Sequence, residues 1–258
     1  MSSESTFVDV HGARTEILRG GAGSPVLYLH SAGGSFWGAF LDRLSDRFSV
    51  VAPTLPGFGR SEGLERIDTI ADLVFHTVDL LDALGLDRIP VVGLSLGGWL
   101  AAELAVQHRE RVSKLVLIDA VGLKVEGAPI TEFFLADAAE ARSLLFGDPN
   151  SEIAKQLVPD DPPPEVLEEV LKAREATARV AWNPYLHDPK LRDRLYRVKA
   201  PTLVVWGEDD RLVSLAHGEA YARGISGAKL VTIPGTGHAP SLEKPEDTAR
   251  AVIDFLAS

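Results

Sequence analysis

The chain reads as an α/β protein built on one mostly parallel, doubly wound sheet of eight strands with a helical insertion, and three features predict this. Short β-prone runs alternate with amphipathic helical runs over most of the length, the rhythm of strand–helix–strand units with parallel pairing. Val112–Ile118 is a near-continuous apolar run, the pattern of a strand covered on both faces. From about Val121 to Pro189 the strand–helix rhythm breaks and the sequence is helical in tendency. In an open sheet of this kind, ligands bind beyond the carboxyl ends of the strands, and the insertion is expected to lie there. The division expected is a core of residues 1–120 and 190–258 and a helical lid of residues 121–189.

Taken in order, Phe7–Val10 and Arg14–Leu18 are β-prone runs joined by His11-Gly12, a hairpin signal. Gly20–Ser24 is a glycine-rich loop without the strand and helix that a dinucleotide fingerprint needs. Pro25–Leu29 is an apolar strand ending at His30-Ser31-Ala32-Gly33-Gly34. Phe36, Phe40 and Leu44 recur at intervals of four, which predicts a helix over 36–47. Ser49–Ala52 is the next strand, leading into the loop from Pro53 to Ser61. A long helix is expected from about Ile67 to Leu84, stopped by Gly85. Pro90–Val92 is a strand that feeds Gly93-Leu94-Ser95-Leu96-Gly97-Gly98, and the helix-forming run Leu100–Ala105 follows. Within the insertion, Val166, Leu167, Val170 and Leu171 share one helix face; Glu168→Lys172 and Glu175→Arg179 are supportive i,i+4 pairs on the other. Thr202–Trp206 (strand), Leu215–Ala222 (helix), Lys229–Ile233 (strand) and Pro245–Leu256 (helix) complete the chain.

At 258 residues, 45% apolar and 24% charged, the chain can bury a large core. The absence of cysteine excludes disulfides, cysteine metal sites and a thiol nucleophile. A net charge of −11 argues against a nucleic-acid partner. The opening MSSESTFVDVHGAR has neither a basic nor an apolar segment of the secretory kind. No run approaches the roughly 18 apolar residues that span a bilayer. A cytoplasmic protein without a membrane partner is expected; the oligomeric state is open.

Chemistry concentrates on the strand–turn–helix at Ser95. Gly93 and Gly97 flank the serine where a Cβ would crowd a sharp turn, and Gly98 allows the helix to pack close to the strand. A serine hydroxyl is a poor nucleophile and needs a base that is itself oriented. Trp206-Gly207-Glu208-Asp209-Asp210-Arg211 follows one late strand, and Pro234-Gly235-Thr236-Gly237-His238 follows the last. The order Ser95…Asp210…His238 is that of nucleophile-elbow enzymes. The Leu96 N–H supplies one oxyanion donor, and the His30–Gly34 loop can supply a second.

On these residues the chain resembles the α/β-hydrolase superfamily over nearly its full length. Four motifs match together: H30-x-x-G-G, P56-G57-F58-G59-x-S61, G93-L94-S95-L96-G97-G98, and the pair G207-E208-D209-D210-R211 with G237-H238. The resemblance implies the α/β-hydrolase fold, selects Asp210 rather than Asp209 as the acid, and makes Ala32 the second oxyanion donor. Ser31 and Thr54 depart from the usual glycine and aspartate of relatives. Dehalogenase-like and epoxide-hydrolase-like members need Asp at position 95, and hydroxynitrile-lyase-like members need Lys at 239; here these are Ser95 and Ala239. Carbon–carbon hydrolases of ring-cleavage pathways usually carry Asn before the nucleophile and Trp after the histidine, where this chain has Leu94 and Ala239.

The expected activity is a cofactor-independent, metal-free serine hydrolase acting on a small-molecule carboxylic ester of small or medium acyl chain. Lactone, perhydrolase or carbon–carbon chemistry on the same residues, or a small-molecule receptor on this scaffold, are the alternatives. Asp119, after the Val112–Ile118 strand, is a rival acid. His30 is expected to hold the oxyanion loop, and the remaining histidines lack metal-ligand spacing. Gly33, Phe133, Phe134, Trp182 and Tyr185 are candidate pocket residues, although burial of the lid explains its aromatics equally well. Residues 121–189 hold six Lys or Arg against thirteen Asp or Glu, a net of −7. Facing the entrance, that field would disfavour anionic substrates.

Overall fold

Successive side chains of a strand point to opposite faces, and the central strands carry branched aliphatics at nearly every position. In the computed structural model, which describes residues 3–258, each face has its own core. Leu27, Leu29, Val91, Leu115, Leu117 and Val204 enter one. Their neighbours Val26, Tyr28, Val92, Val116, Ile118, Leu203 and Val205 enter the other. This is the physical content of the continuous apolar run at Val112–Ile118: both faces need covering.

The strands are β1 (Glu4–Val10), β2 (Ala13–Gly20), β3 (Pro25–Leu29), β4 (Ser49–Pro53), β5 (Ile89–Leu94), β6 (Val112–Ile118), β9 (Thr202–Gly207) and β10 (Lys229–Ile233). They form one eight-stranded sheet in the order β1-β2-β4-β3-β5-β6-β9-β10. β1 pairs antiparallel with β2, and β2 with β4; all other pairs are parallel. Helices α2 (Ile70–Ala83), α3 (Leu96–Gln107) and α8 (Leu215–Gly224) cover one face, and α1 (Ala39–Ser45) and α10 (Pro245–Ala257) the other. The short α9 (Pro240–Glu243) precedes α10. The chain turns one way from β3 to β4 and the other way to β5. The switch point, where such sheets bind ligands, therefore lies between the ends of β3 and β5.

Between β6 and β9 the chain leaves the sheet. It forms α4 (Ala138–Leu145), α5 (Glu152–Leu157), α6 (Pro164–Ala181) and, on its return, α7 (Leu191–Arg194). Two-residue strands β7 (Gly122–Leu123) and β8 (His187–Asp188) pair parallel where the segment leaves and returns. Arg194 secures this root through ion pairs with Asp188 and with the buried Glu103 of α3. Among the described residues no helix is long and apolar enough to cross a membrane.

Two helix starts and one ion pair are corrected. α1 starts at Ala39, not Phe36: Gly38 takes the extended N-cap conformation, and Phe36 stays exposed. α2 starts at Ile70, because Thr69 and Asp72 form a reciprocal capping box that fixes its first turn. The apolar face of α6 divides: Ala173, Ala176 and Ala181 are buried, whereas Val166, Leu167, Val170 and Leu171 are exposed. Only the alanine half comes close to the core, against Gly57, where an added Cβ would lie 3.0 Å from Ala176 Cβ. Lys172 pairs with Glu168 as the spacing suggests, but Arg179 reaches instead to the Leu64 carbonyl at 2.8 Å and to Asp68 at 3.8 Å.

Candidate active site

Ser95 sits between β5 and α3 with φ 52° and ψ −111°. For a residue with a Cβ this left-handed backbone is strained, and it persists only where the surroundings impose it. Here the Ser95 N–H donates to the Ile118 carbonyl at 2.9 Å, and the Ser95 carbonyl accepts from Trp99 N–H at 3.0 Å. The glycines explain the rest: a Cβ on Gly97 would run into the Leu29 carbonyl, and one on Gly98 would lie 2.5 Å from Ala120 Cβ. β5, α3, β3 and β6 therefore meet in contact, and the serine is forced out of the turn.

His238, after β10, brings its Nε2 to 2.8 Å from Ser95 Oγ. Its Nδ1 lies 2.7 Å from Asp210 Oδ2. Asp210 Oδ1 accepts from the N–H groups of Leu212 at 2.9 Å and Val213 at 2.8 Å. With both Asp210 oxygens accepting, Nδ1 is the donor and Nε2 is left to accept the serine proton. All three side chains are buried, so the interactions act with little solvent screening. The structure thus brings together the residues named from the sequence, and Asp209 is exposed beside them.

Asp119 is a second buried carboxyl at this place, again with a positive φ (43°). Its Oδ1 accepts the Gly207 N–H at 2.8 Å, while its buried Oδ2 meets no hydrogen-bond partner among the described residues. Burial, and then the neighbouring Asp210 charge, push the Asp119 carboxyl well above the usual carboxylate range. Oxygen and nitrogen atoms of Asp119, Asp210 and His238 lie within 4.8 Å of one another. A metal bound there would have to break the 2.7 Å His238–Asp210 bond, so the donor set fits an oriented base rather than a cation.

On the opposite side, His30 accepts the Leu55 N–H on Nε2 at 2.9 Å. Its Nδ1 then carries the proton and donates to the Ser31 carbonyl at 2.7 Å. Burial drives the His30 pKa down to about 4, which keeps the imidazole neutral and able to do both. Gly33 N–H turns to Ser31 Oγ (3.2 Å) and Gly34 N–H to the Ser31 carbonyl (3.1 Å). The Ala32 N–H is not used in that turn. Leu96 is the first residue of α3, and its N–H has no helical acceptor.

The aromatic residues of the insertion chiefly serve one another. Phe134 meets Trp182 and Tyr185 edge-on at 5.6 and 5.7 Å. The Tyr185 hydroxyl accepts the Phe133 N–H at 2.8 Å. Trp182 is 56% exposed, while Phe133 and Tyr185 pack on the main core. Sequence reading missed Glu243, and it placed Arg211 in a motif without giving it a role. Glu243 lies in an exposed-looking Glu-Lys-Pro run, and its partners are backbone groups remote in sequence.

An α/β sheet with a buried serine–histidine–aspartate array at its switch point defines the class of protein: a hydrolase. The chain belongs to the alpha/beta hydrolase family, whose model matches residues 10–251. It is 31% identical over 250 residues to the dihydrolipoyllysine-residue acetyltransferase component of the acetoin cleaving system of Cupriavidus necator, covering 93% of this chain but 66% of that relative's length. It is 31% identical over 261 residues to a 2-hydroxy-6-oxo-6-phenylhexa-2,4-dienoate hydrolase of Comamonas testosteroni, covering 92% and 88%. Among solved structures, the 2-hydroxy-6-oxo-6-phenylhexa-2,4-dienoate hydrolase of Rhodococcus sp. strain RHA1 superimposes with a TM-score of 0.81 at 25% identity, covering 100% of this chain and 99% of that one.

Proposed function

We propose that the protein is a serine hydrolase that cleaves carboxylic esters of small or medium acyl chain through an acyl-enzyme. The observation that carries this reading is the continuous hydrogen-bonded path Ser95 Oγ–His238 Nε2 (2.8 Å) and His238 Nδ1–Asp210 Oδ2 (2.7 Å) on a serine at φ 52°. Ser95 Oγ attacks the ester carbonyl as its proton passes to His238 Nε2. The Ala32 and Leu96 N–H groups receive the oxyanion, and the imidazolium, stabilised by Asp210, returns the proton to the departing alcohol. Water, deprotonated by His238, then releases the acid. Gly33, beside Ala32, and Phe133, packed on the core, are the pocket residues best placed to bound the acyl group. We assign residues 121–189 as the lid over this site.

A second reading follows from the relatives named as dienoate hydrolases: cleavage of a carbon–carbon bond on the same three residues. A dienoate is an anion and needs a cationic partner. The insertion is net negative, with six basic against thirteen acidic residues. Its Arg142 is held by Asp160 and the Val158 carbonyl, and Arg179 by Leu64. This balance favours the neutral ester. Turnover of p-nitrophenyl butyrate, and of a 2-hydroxy-6-oxo-dienoate, should be measured for wild type and Ser95→Ala. We expect ester turnover by the wild type and a loss of roughly 10³-fold or more in the variant. Undiminished ester turnover by a folded Ser95→Ala protein would overturn the role of the serine, and turnover of the dienoate alone would select the second reading.

A further inference from the structure

The loops that carry His238 and Asp210 both touch one turn of the insertion, residues 143–147, and they do so through neighbours of the two side chains. Glu243 of α9 spans the gap on the histidine side. Its Oε2 accepts the N–H of Gly237, the residue before His238, at 2.7 Å. Its Oε1 accepts the N–H of Gly147 at 2.8 Å. Arg211, the residue after Asp210, spans the gap on the acid side. Its Nη1 donates to the carbonyls of Ser143 and Phe146, both at 3.0 Å, and its Nη2 to that of Gly147 at 3.4 Å. The Ser143 and Phe146 carbonyls belong to the carboxyl end of α4, which a helix cannot satisfy itself and where a cation is favoured.

Between these two clamps the backbones lie in direct contact. A Cβ on Gly237 would come within 2.7 Å of the Leu145 carbonyl oxygen, and one on Gly147 within 3.0 Å of the Gly235 carbonyl oxygen. Behind them Ala239, the residue after His238, shares a small buried cluster with Phe146 and Ala154 of the insertion. His238 is therefore flanked on both sides by residues seated on this turn. None of these contacts is made by Ser95, His238 or Asp210 themselves.

We propose that Glu243 and Arg211 are positioning residues that couple the 143–147 turn to the His238–Asp210 pair, so that the base is aligned with Ser95 only while that turn of the insertion is seated. This rests on the triad reading given above. Glu243 accepts from both segments at once, and an uncharged or shorter side chain cannot hold both N–H groups. Misplacement of a catalytic group by about 1 Å costs on the order of 10²-fold in rate, so a loosened clamp acts on kcat rather than on ester binding.

The test uses the full chain with diethyl p-nitrophenyl phosphate and p-nitrophenyl butyrate. With the phosphate triester, a bond forms from Ser95 Oγ to phosphorus as p-nitrophenolate leaves with the bonding electrons and His238 takes the serine proton. The p-nitrophenolate released counts active serines, and its rate reports their activation. Per titrated serine, Glu243→Ala and Arg211→Met are each expected to slow phosphorylation and lower kcat for the ester about tenfold, with KM within about threefold. Glu243→Gln should recover part of the loss, since its amide oxygen still accepts one of the two bonds. Gly147→Ala removes no partner but wedges the turn from the His238 loop, and it should reproduce the kcat loss even where Glu243→Ala folds poorly. In the double variant the combined loss should be smaller than the product of the single losses, as for two residues acting through one element. Wild-type kcat per titrated serine in folded Glu243→Ala and Gly147→Ala, beside a reactive wild type, would overturn the coupling alone. A wild type that neither turns over the ester nor reacts with the phosphate would overturn the triad reading, and this inference with it.

Discussion

Two carboxyls, Asp119 and Asp210, stand within reach of one imidazole, and their surroundings give them different tasks. Asp210 receives two backbone N–H groups on Oδ1 and presents Oδ2 to His238 at 2.7 Å. Asp119 receives one N–H, and burial and the Asp210 charge push its carboxyl well up. Two carboxylates so close in a dry site disfavour each other's charge, and Asp119, with the single N–H donor, is the one pushed toward its protonated form. Asparagine has nearly the shape of a protonated aspartic acid and the same acceptor for Gly207. Asp119→Asn is therefore expected to keep kcat for p-nitrophenyl butyrate within about fivefold, whereas Asp210→Asn should lose roughly 10³- to 10⁴-fold by leaving His238 in the wrong tautomer. A larger loss from Asp119→Asn than from Asp210→Asn would make Asp119 the working acid. The sequence carried both candidates, and what separates them, the number of N–H groups aimed at each, belongs to the folded chain.

The strand–turn–helix at Ser95 is the element whose sequence and structure correspond most directly. Its glycines answer to contacts within a few residues or to the neighbouring strand, and such close packing leaves its mark on composition. Gly97→Ala would drive a methyl into the Leu29 carbonyl with no flexible side chain to give way. It is expected to destabilise the protein by about 3 kcal/mol, seen as a lower urea midpoint; an unchanged midpoint would mean that α3 can shift off β3. Helix starts were less legible. Phe36, Phe40 and Leu44 keep the helical interval, yet Gly38 breaks the helix before Phe36 can join it. For α2 the signal was present: Thr69-Ile70-Ala71-Asp72 has the spacing of a capping box, and the structure uses it. The β7–β8 pair left no trace in the sequence, because two residues per strand show no periodicity. The exposed half of α6 could not be told from its buried half, since an apolar stripe does not state what covers it. The contacts of Glu243 and Arg211 were illegible for the same reason, as their partners are main-chain atoms of another segment, although Arg211 itself stood in a matched motif.

At the scale of the whole molecule, the response to acid follows from which buried groups refuse or retain protons. Burial holds His30 and His76 to pKa values of about 4, against 6.5 for the free side chain. Between pH 6.5 and about 4 the unfolded chain therefore binds protons that the fold does not, and stability falls as pH falls through that window. Above 6.5 both states are neutral and nothing is lost. For the fully buried His30 the loss between pH 7 and pH 5 is about 2 kcal/mol. Glu103, Asp119 and Glu243 run the other way: burial raises each carboxyl, so acidification relieves a cost they impose near neutrality. The total pH dependence is thus a difference of opposed contributions, and a single variant must isolate one of them. His30→Gln keeps an acceptor for the Leu55 N–H and has no proton to gain. Its unfolding free energy in urea, measured relative to wild type, should improve by about 2 kcal/mol on passing from pH 7 to pH 5, whatever its absolute value at either pH. A parallel response of the two proteins would show that His30 is protonated in the fold at pH 5. The oxyanion loop could not then be held by the Leu55 N–H on Nε2, because an imidazolium has no acceptor to offer it.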